Sequence, residues 1–101
     1  MIHVIASITV KDTQLGSFIE IFKANIPNVM KENGCIEYSA TVDVETDVAI
    51  QQTDQNVVTV IEKWESLSHL KAHFTAPHML DYKARVDDIV ETVSLKILQD
   101  S

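Results

Sequence analysis

Ile2, Val4, Ala6, Ile8 and Val10 occupy every second position at the start of the chain. This is the period of a strand with one buried face. After Asp12 and Thr13, which offer N-cap chemistry, the period lengthens. Leu15, Phe18, Ile19, Phe22, Ile26, Val29 and Met30 recur at steps of three and four, the stripe of an amphipathic helix of about five turns. Pro27 is expected to kink it, and Asn33-Gly34 supplies its stop. Period two returns from Cys35 to Val44, with Ile36, Tyr38, Ala40 and Val42 on one face. The polar run from Glu45 to Asn56 reads as a hairpin connection. Val57 to Trp64 is the third strand and the most apolar. Ser66 stands as the N-cap of a short helix marked by Leu67, Leu70 and Phe74. Pro77 opens a further helix carrying Met79, Leu80, Tyr82 and Val86. Val90 to Leu98 forms the last strand, with Val93, Leu95 and Ile97 sharing a face.

The element order predicts an α+β, ferredoxin-like β-α-β-β-α-β fold. Helices cover one face of such a sheet. The other face carries residues such as Ile5, Val57 or Ile61, and a second copy is the simplest cover for them. A homodimer with sheets packed face to face is the expectation.

Composition narrows the function classes. The 101 residues suit one domain spanning 1–101. Fifteen acids against eight bases give a net charge of −7, which disfavours a nucleic-acid partner. No apolar run approaches a membrane span. The N-terminus alternates like a strand and lacks the charged start and long apolar core of a signal peptide. One cysteine cannot form an internal disulfide, and a cytoplasmic location is the expectation.

Chemistry concentrates between Glu62 and Met79, in EKWESLSHLKAHFTAPHM. Glu62 and Trp64 are two apart on a strand and point to the same side. An acid on so apolar a face needs a partner or has a raised pKa; a structural ion pair or an exposed edge position is the alternative. His69 and His73 are neighbours on the helix surface, at the border of its apolar stripe, with His73 nearer the buried side. His73 is the candidate general base, and His69 reads as a solvated helix residue. His78 follows a proline near a helix N-terminus, where the neutral ring is favoured. HxxxH has the spacing of two metal ligands but lacks the embedded glutamate of a zinc protease; no metal is expected. Cys35 reads as a buried, inert thiol. No phosphate loop, nucleotide fingerprint or nucleophile elbow is present.

Taken together, these motifs resemble the antibiotic biosynthesis monooxygenase family, and within it the small quinol monooxygenases. They are a strand ending in Glu62-x-Trp64, a helix carrying Ala72-His73, then Thr75-x-Pro77-His78, with Gly34-Cys35 and Tyr38 before and the ending SLKILQ. The resemblance covers nearly the whole chain. It implies a dimeric α+β barrel that uses molecular oxygen on quinols or polyphenolic aromatics without metal or organic cofactor. In that reading His73 takes the proton and Glu62 orients it. Trp64, Phe74 and Met79 wall the substrate, while His78 and Tyr38 donate hydrogen bonds to its oxygen. A haem-degrading branch uses a first-strand asparagine where Ser7 stands, so haem is not the expected substrate. A branch that isomerises a phosphorylated sugar needs basic residues, for which Lys71 and Lys83 are the candidates. A non-catalytic binding or regulatory dimer is the remaining alternative.

Overall fold

A computed structural model describes residues 1–101. Strand β1 (Ile2–Val10) leads into helix α1 (Leu15–Met30), then β2 (Cys35–Val42) and β3 (Val57–Trp64). Helices α2 (Leu67–Phe74) and α3 (Pro77–Val86) follow, and β4 (Val90–Gln99) closes the chain. The sheet is antiparallel throughout, in the order β2-β3-β1-β4. The ferredoxin-like expectation holds, with the second helical segment broken in two before Pro77.

Alternation does its work in the two central strands. Val4, Ala6, Ile8 and Val10 of β1 and Val58, Val60, Glu62 and Trp64 of β3 all face the helices and are buried. Phe18, Phe22 and Val29 of α1 pack on them. The Phe22 ring stacks on Tyr38 at 5.1 Å and meets Tyr82 edge-on at 5.9 Å, the two preferred aromatic geometries. Ile5, Val57 and Ile61 lie on the opposite face and are only half-buried.

Four local expectations are corrected. The N-cap of α1 is Gln14, without a side-chain hydrogen bond. Thr13 adopts a left-handed φ of 71°, and the Asp12 carboxylate instead accepts from Asn56 Nδ2 at 2.6 Å. The helix runs through Pro27 to Met30 without a break. Strand β2 stops at Val42, and a register shift between Cys35 and Glu37 makes Ile36 the extra residue of a bulge. Of its four apolar positions only Tyr38 is buried, while Ile36 and Val42 are exposed. Finally, Leu67 is exposed and His73 takes its place in the core, 2 % exposed. The apolar stripe of α2 is thus rotated toward His73.

β4 lies at the sheet edge, beyond the reach of the helices. Val93, Leu95 and Ile97 pair with Ile8, Ala6 and Val4 on the helix side, yet all three are exposed.

Candidate active site

A cleft of about 440 Å³ opens between the helices and the sheet. This is the size range of small-molecule sites, roughly 300–1,000 Å³. Ala6 and Ile8 of β1, Tyr38 of β2 and Val60 and Glu62 of β3 form its floor. Phe22, His73, Phe74, Met79 and Tyr82 form its walls, and Val93 and Leu95 of β4 form one rim. The lining is mostly apolar.

Besides Lys83 and Asp87, four polar groups line this space. Glu62 is buried, and its Oε1 accepts from Trp64 Nε1 at 2.9 Å. Its other oxygen, the Tyr38 and Tyr82 hydroxyls and His73 Nε2 make no hydrogen bond. Since no fully buried side-chain polar atom lacks a partner, all four stay open to the cleft. Burial pushes the Glu62 carboxyl up to about 7, against a smaller opposing effect of the Trp64 hydrogen bond. Burial likewise holds both tyrosine hydroxyls well above the usual phenol range, so they serve as O–H donors. Burial pulls the His73 imidazole below its ordinary value, and the nearby Glu32 only partly offsets this. A neutral imidazole with a free Nε2 is a proton acceptor.

Glu32 is a site residue that sequence reasoning missed. It sits in the turn after α1. His73 Nδ1 donates to its Oε2 at 2.8 Å, and His78 Nε2 donates to the same oxygen at 2.7 Å. Backbone bonds from Glu32 N to Val29 O (2.9 Å) and from Cys35 N to Glu32 O (3.3 Å) hold the turn. Gly34 completes it at φ +80°, where a Cβ would fall 2.3 Å from His69 Cγ; no other residue fits without displacing that ring. His69 is fixed in turn by Ser66, the N-cap of α2, whose hydroxyl lies 2.7 Å from Nδ1. His69 thus clamps the turn that carries Glu32.

The remaining expected residues divide. His73, Glu62, Tyr38, Phe74 and Met79 meet at the cleft. Trp64 does not reach it: fully buried, it packs behind His73 with ring centroids 4.8 Å apart. It packs on His73 and holds Glu62 rather than lining the cleft. His78 is also off the cleft, turned to Glu32. The carboxylate that orients His73 is Glu32, and the partner of Glu62 is the indole, so the expected Glu62–His73 pairing is corrected. Cys35 is half-buried beside Met30, and burial raises its thiol to about 11, which leaves it protonated and unreactive at neutral pH. Lys83 lines the cleft, with its Nζ on Phe74 O at 3.3 Å; Lys71 does not. Phe22 and Tyr82 were read only as helix-face residues, because a stripe position carries no sign of whether it borders a void.

A two-layer α+β fold whose sheet floors a small apolar cleft, with an acid and a histidine at its wall, defines a class of small-molecule-binding or catalytic domain. Residues 1–85 match the antibiotic biosynthesis monooxygenase family, and the chain belongs to it. It is 36% identical over 101 residues to "Probable quinol monooxygenase YgiN" of Escherichia coli (strain K12), an alignment covering 98% of this chain and 97% of that protein. The fold is shared with PA3566 from Pseudomonas aeruginosa at a TM-score of 0.83 and 20% identity, over 99% of this chain and 93% of that one. A conserved protein from Methanosarcina mazei Go1 superposes at 0.84 with 22% identity, over 99% and 92%.

Proposed function

We propose that this protein is a cofactor-free monooxygenase of quinols or related polyphenols, with molecular oxygen as second substrate. The observation that carries the reading is His73 Nε2, unbonded and open to a mostly apolar cleft, facing the space it shares with the Glu62 carboxyl. The family and the name of the E. coli relative support it.

Ground-state oxygen reacts slowly with closed-shell molecules because spin must change. A hydroquinone overcomes this by passing on one electron first, and does so readily only as its proton leaves. His73 Nε2 takes that proton, and the Nδ1–H bond to Glu32 steadies the resulting cation. Glu62 in its protonated form, with Tyr38 and Tyr82, donates hydrogen bonds to the substrate oxygens. Phe22, Phe74 and Met79 hold the flat ring. One oxygen atom then enters a ring C–H, and the other leaves as water. The quinol supplies both electrons, so its product is a hydroxyquinone and no external reductant is required.

The assay is oxygen uptake with reduced naphthoquinones, followed by mass spectrometry after reaction under ¹⁸O₂. The expected product carries one labelled atom. Tight quinol binding without oxygen uptake would instead indicate a binding module. Turnover of an oxo-sugar phosphate without oxygen would indicate an isomerase.

The proposed working unit is a homodimer. Half-buried Ile5, Val57 and Ile61 and exposed β4 supply apolar surface for a second copy. Light scattering is expected to return twice the 11.3 kDa chain mass; a monomer at micromolar concentration contradicts it.

A further inference from the structure

Glu32 and His78 do not line the cleft, yet His73 and His78 converge on the Glu32 carboxylate. His73 faces Tyr38 from β2, Trp64 from β3, Glu32 from the turn after α1, and His78 and Lys83 from α3. Among these groups Glu32 is the only carboxylate bonded to it; Glu62 lies on the same cleft but is turned to the indole. A carboxylate accepts and does not donate. The ring nitrogens that meet Glu32 therefore carry their protons, and the lone pair of His73 is left on Nε2, toward the cleft.

Both rings use the same oxygen, Oε2. One negative charge pairs well with one imidazolium. A second imidazolium on that atom brings like charges together with no further anion bonded to either ring. Protonation of His78 therefore opposes protonation of His73, and each proton taken by one ring weakens the hold of Glu32 on the other.

We propose that Glu32 is the positioning residue of the site, locking His73 in its Nδ1–H tautomer, and that His78, bound to the same carboxylate oxygen, sets how much of its charge His73 receives. The proposal rests on the reading of His73 as the base. It assigns Glu32 and His78 no contact with substrate.

The test is a ¹⁵N NMR titration of histidine-labelled full-length protein, without substrate, for wild type, Glu32→Gln and His78→Gln. In wild type, neutral His73 is expected to show an unprotonated Nε2. Glu32→Gln removes the anion and lowers the His73 midpoint by about one pH unit or more. His78→Gln removes the competing positive charge and raises it by a smaller amount. Opposite shifts are the signature, because a merely structural role would move neither or both alike. An Nε2–H tautomer in wild type, unchanged midpoints, or shifts in one direction overturn the proposal. If Glu32→Gln does not fold, the His78→Gln arm decides alone: a raised midpoint supports it, and an unchanged or lowered one overturns it. A protein inert toward quinols leaves this titration intact, so failure of the proposed reaction and failure of the positioning role are separable. With activity in hand, Glu32→Gln is expected to lower kcat and leave KM nearly unchanged.

Discussion

His73→Ala is expected to lower quinol-dependent oxygen uptake by about 10²–10⁴-fold, the usual contribution of a positioned general base. The cleft itself survives the change, since Phe22, Tyr38, Phe74 and Met79 stay in place, so KM is expected to move far less than kcat. The substitution also leaves Glu32 with one donor in place of two and enlarges the cleft. A stability loss of about 1–3 kcal/mol is expected from the lost hydrogen bond to a charged group. A thermal melt by circular dichroism separates that loss from the catalytic one. An uptake rate unchanged within twofold, in a folded variant, removes His73 from the mechanism.

Glu62→Gln is expected to act on stability and on the pH profile together. The native carboxyl is held near 7 against an ordinary value of 4.5. The folded state therefore binds this proton more tightly than the unfolded chain. Its contribution to stability is fully present below 4.5 and is lost as pH rises through about 7. The interval corresponds to roughly 3 kcal/mol. Glutamine keeps an acceptor for the Trp64 indole and cannot ionise. The variant is thus expected to gain up to about 3 kcal/mol relative to wild type as pH rises from about 4.5 to just above 7, read by urea unfolding at each pH. A flat difference across that range means that Glu62 ionises as freely as a surface acid.

The same proton governs turnover in the proposed mechanism, which needs neutral His73 and protonated Glu62. Wild-type activity, corrected for the spontaneous oxidation of quinol, is expected to fall in acid, where His73 charges only below the ordinary imidazole range because burial disfavours its cation, and above about pH 7 as Glu62 ionises. Glu62→Gln retains the acid limb and loses the alkaline one.

Much of this architecture is written in local periodicity. The period-two runs through Ala6 and Val60, the longer period through Phe18 and Phe22, the Ser66 cap and Pro77 at a helix start all act within a few residues. They are therefore readable in one dimension. Glu62 and Trp64 on one strand face follow from the same rule. What the period does not encode is depth. Trp64 and Glu62 share a side, but α2 covers the indole and leaves the acid at a void. Nor does it encode partners across the fold. Glu32 is one charged residue in a polar turn, and it meets His73 and His78 across 41 and 46 residues of chain. Gly34 was legible as a helix stop. Its second role, admitting the His69 ring against the turn, depends on a contact between elements that no local pattern records. The bulge at Ile36 is hidden for a related reason: a single extra residue leaves the alternation of β2 looking regular while its pairing with β3 shifts.

The most direct test of the central claim is a crystal structure of the protein with a reduced naphthoquinone bound in the absence of oxygen. One quinol hydroxyl is expected to donate to His73 Nε2 at roughly 2.7–3.2 Å, with the ring lying between Phe22, Phe74 and Met79. A ring seated elsewhere on the protein, with the cleft beside His73 holding only water, contradicts the account.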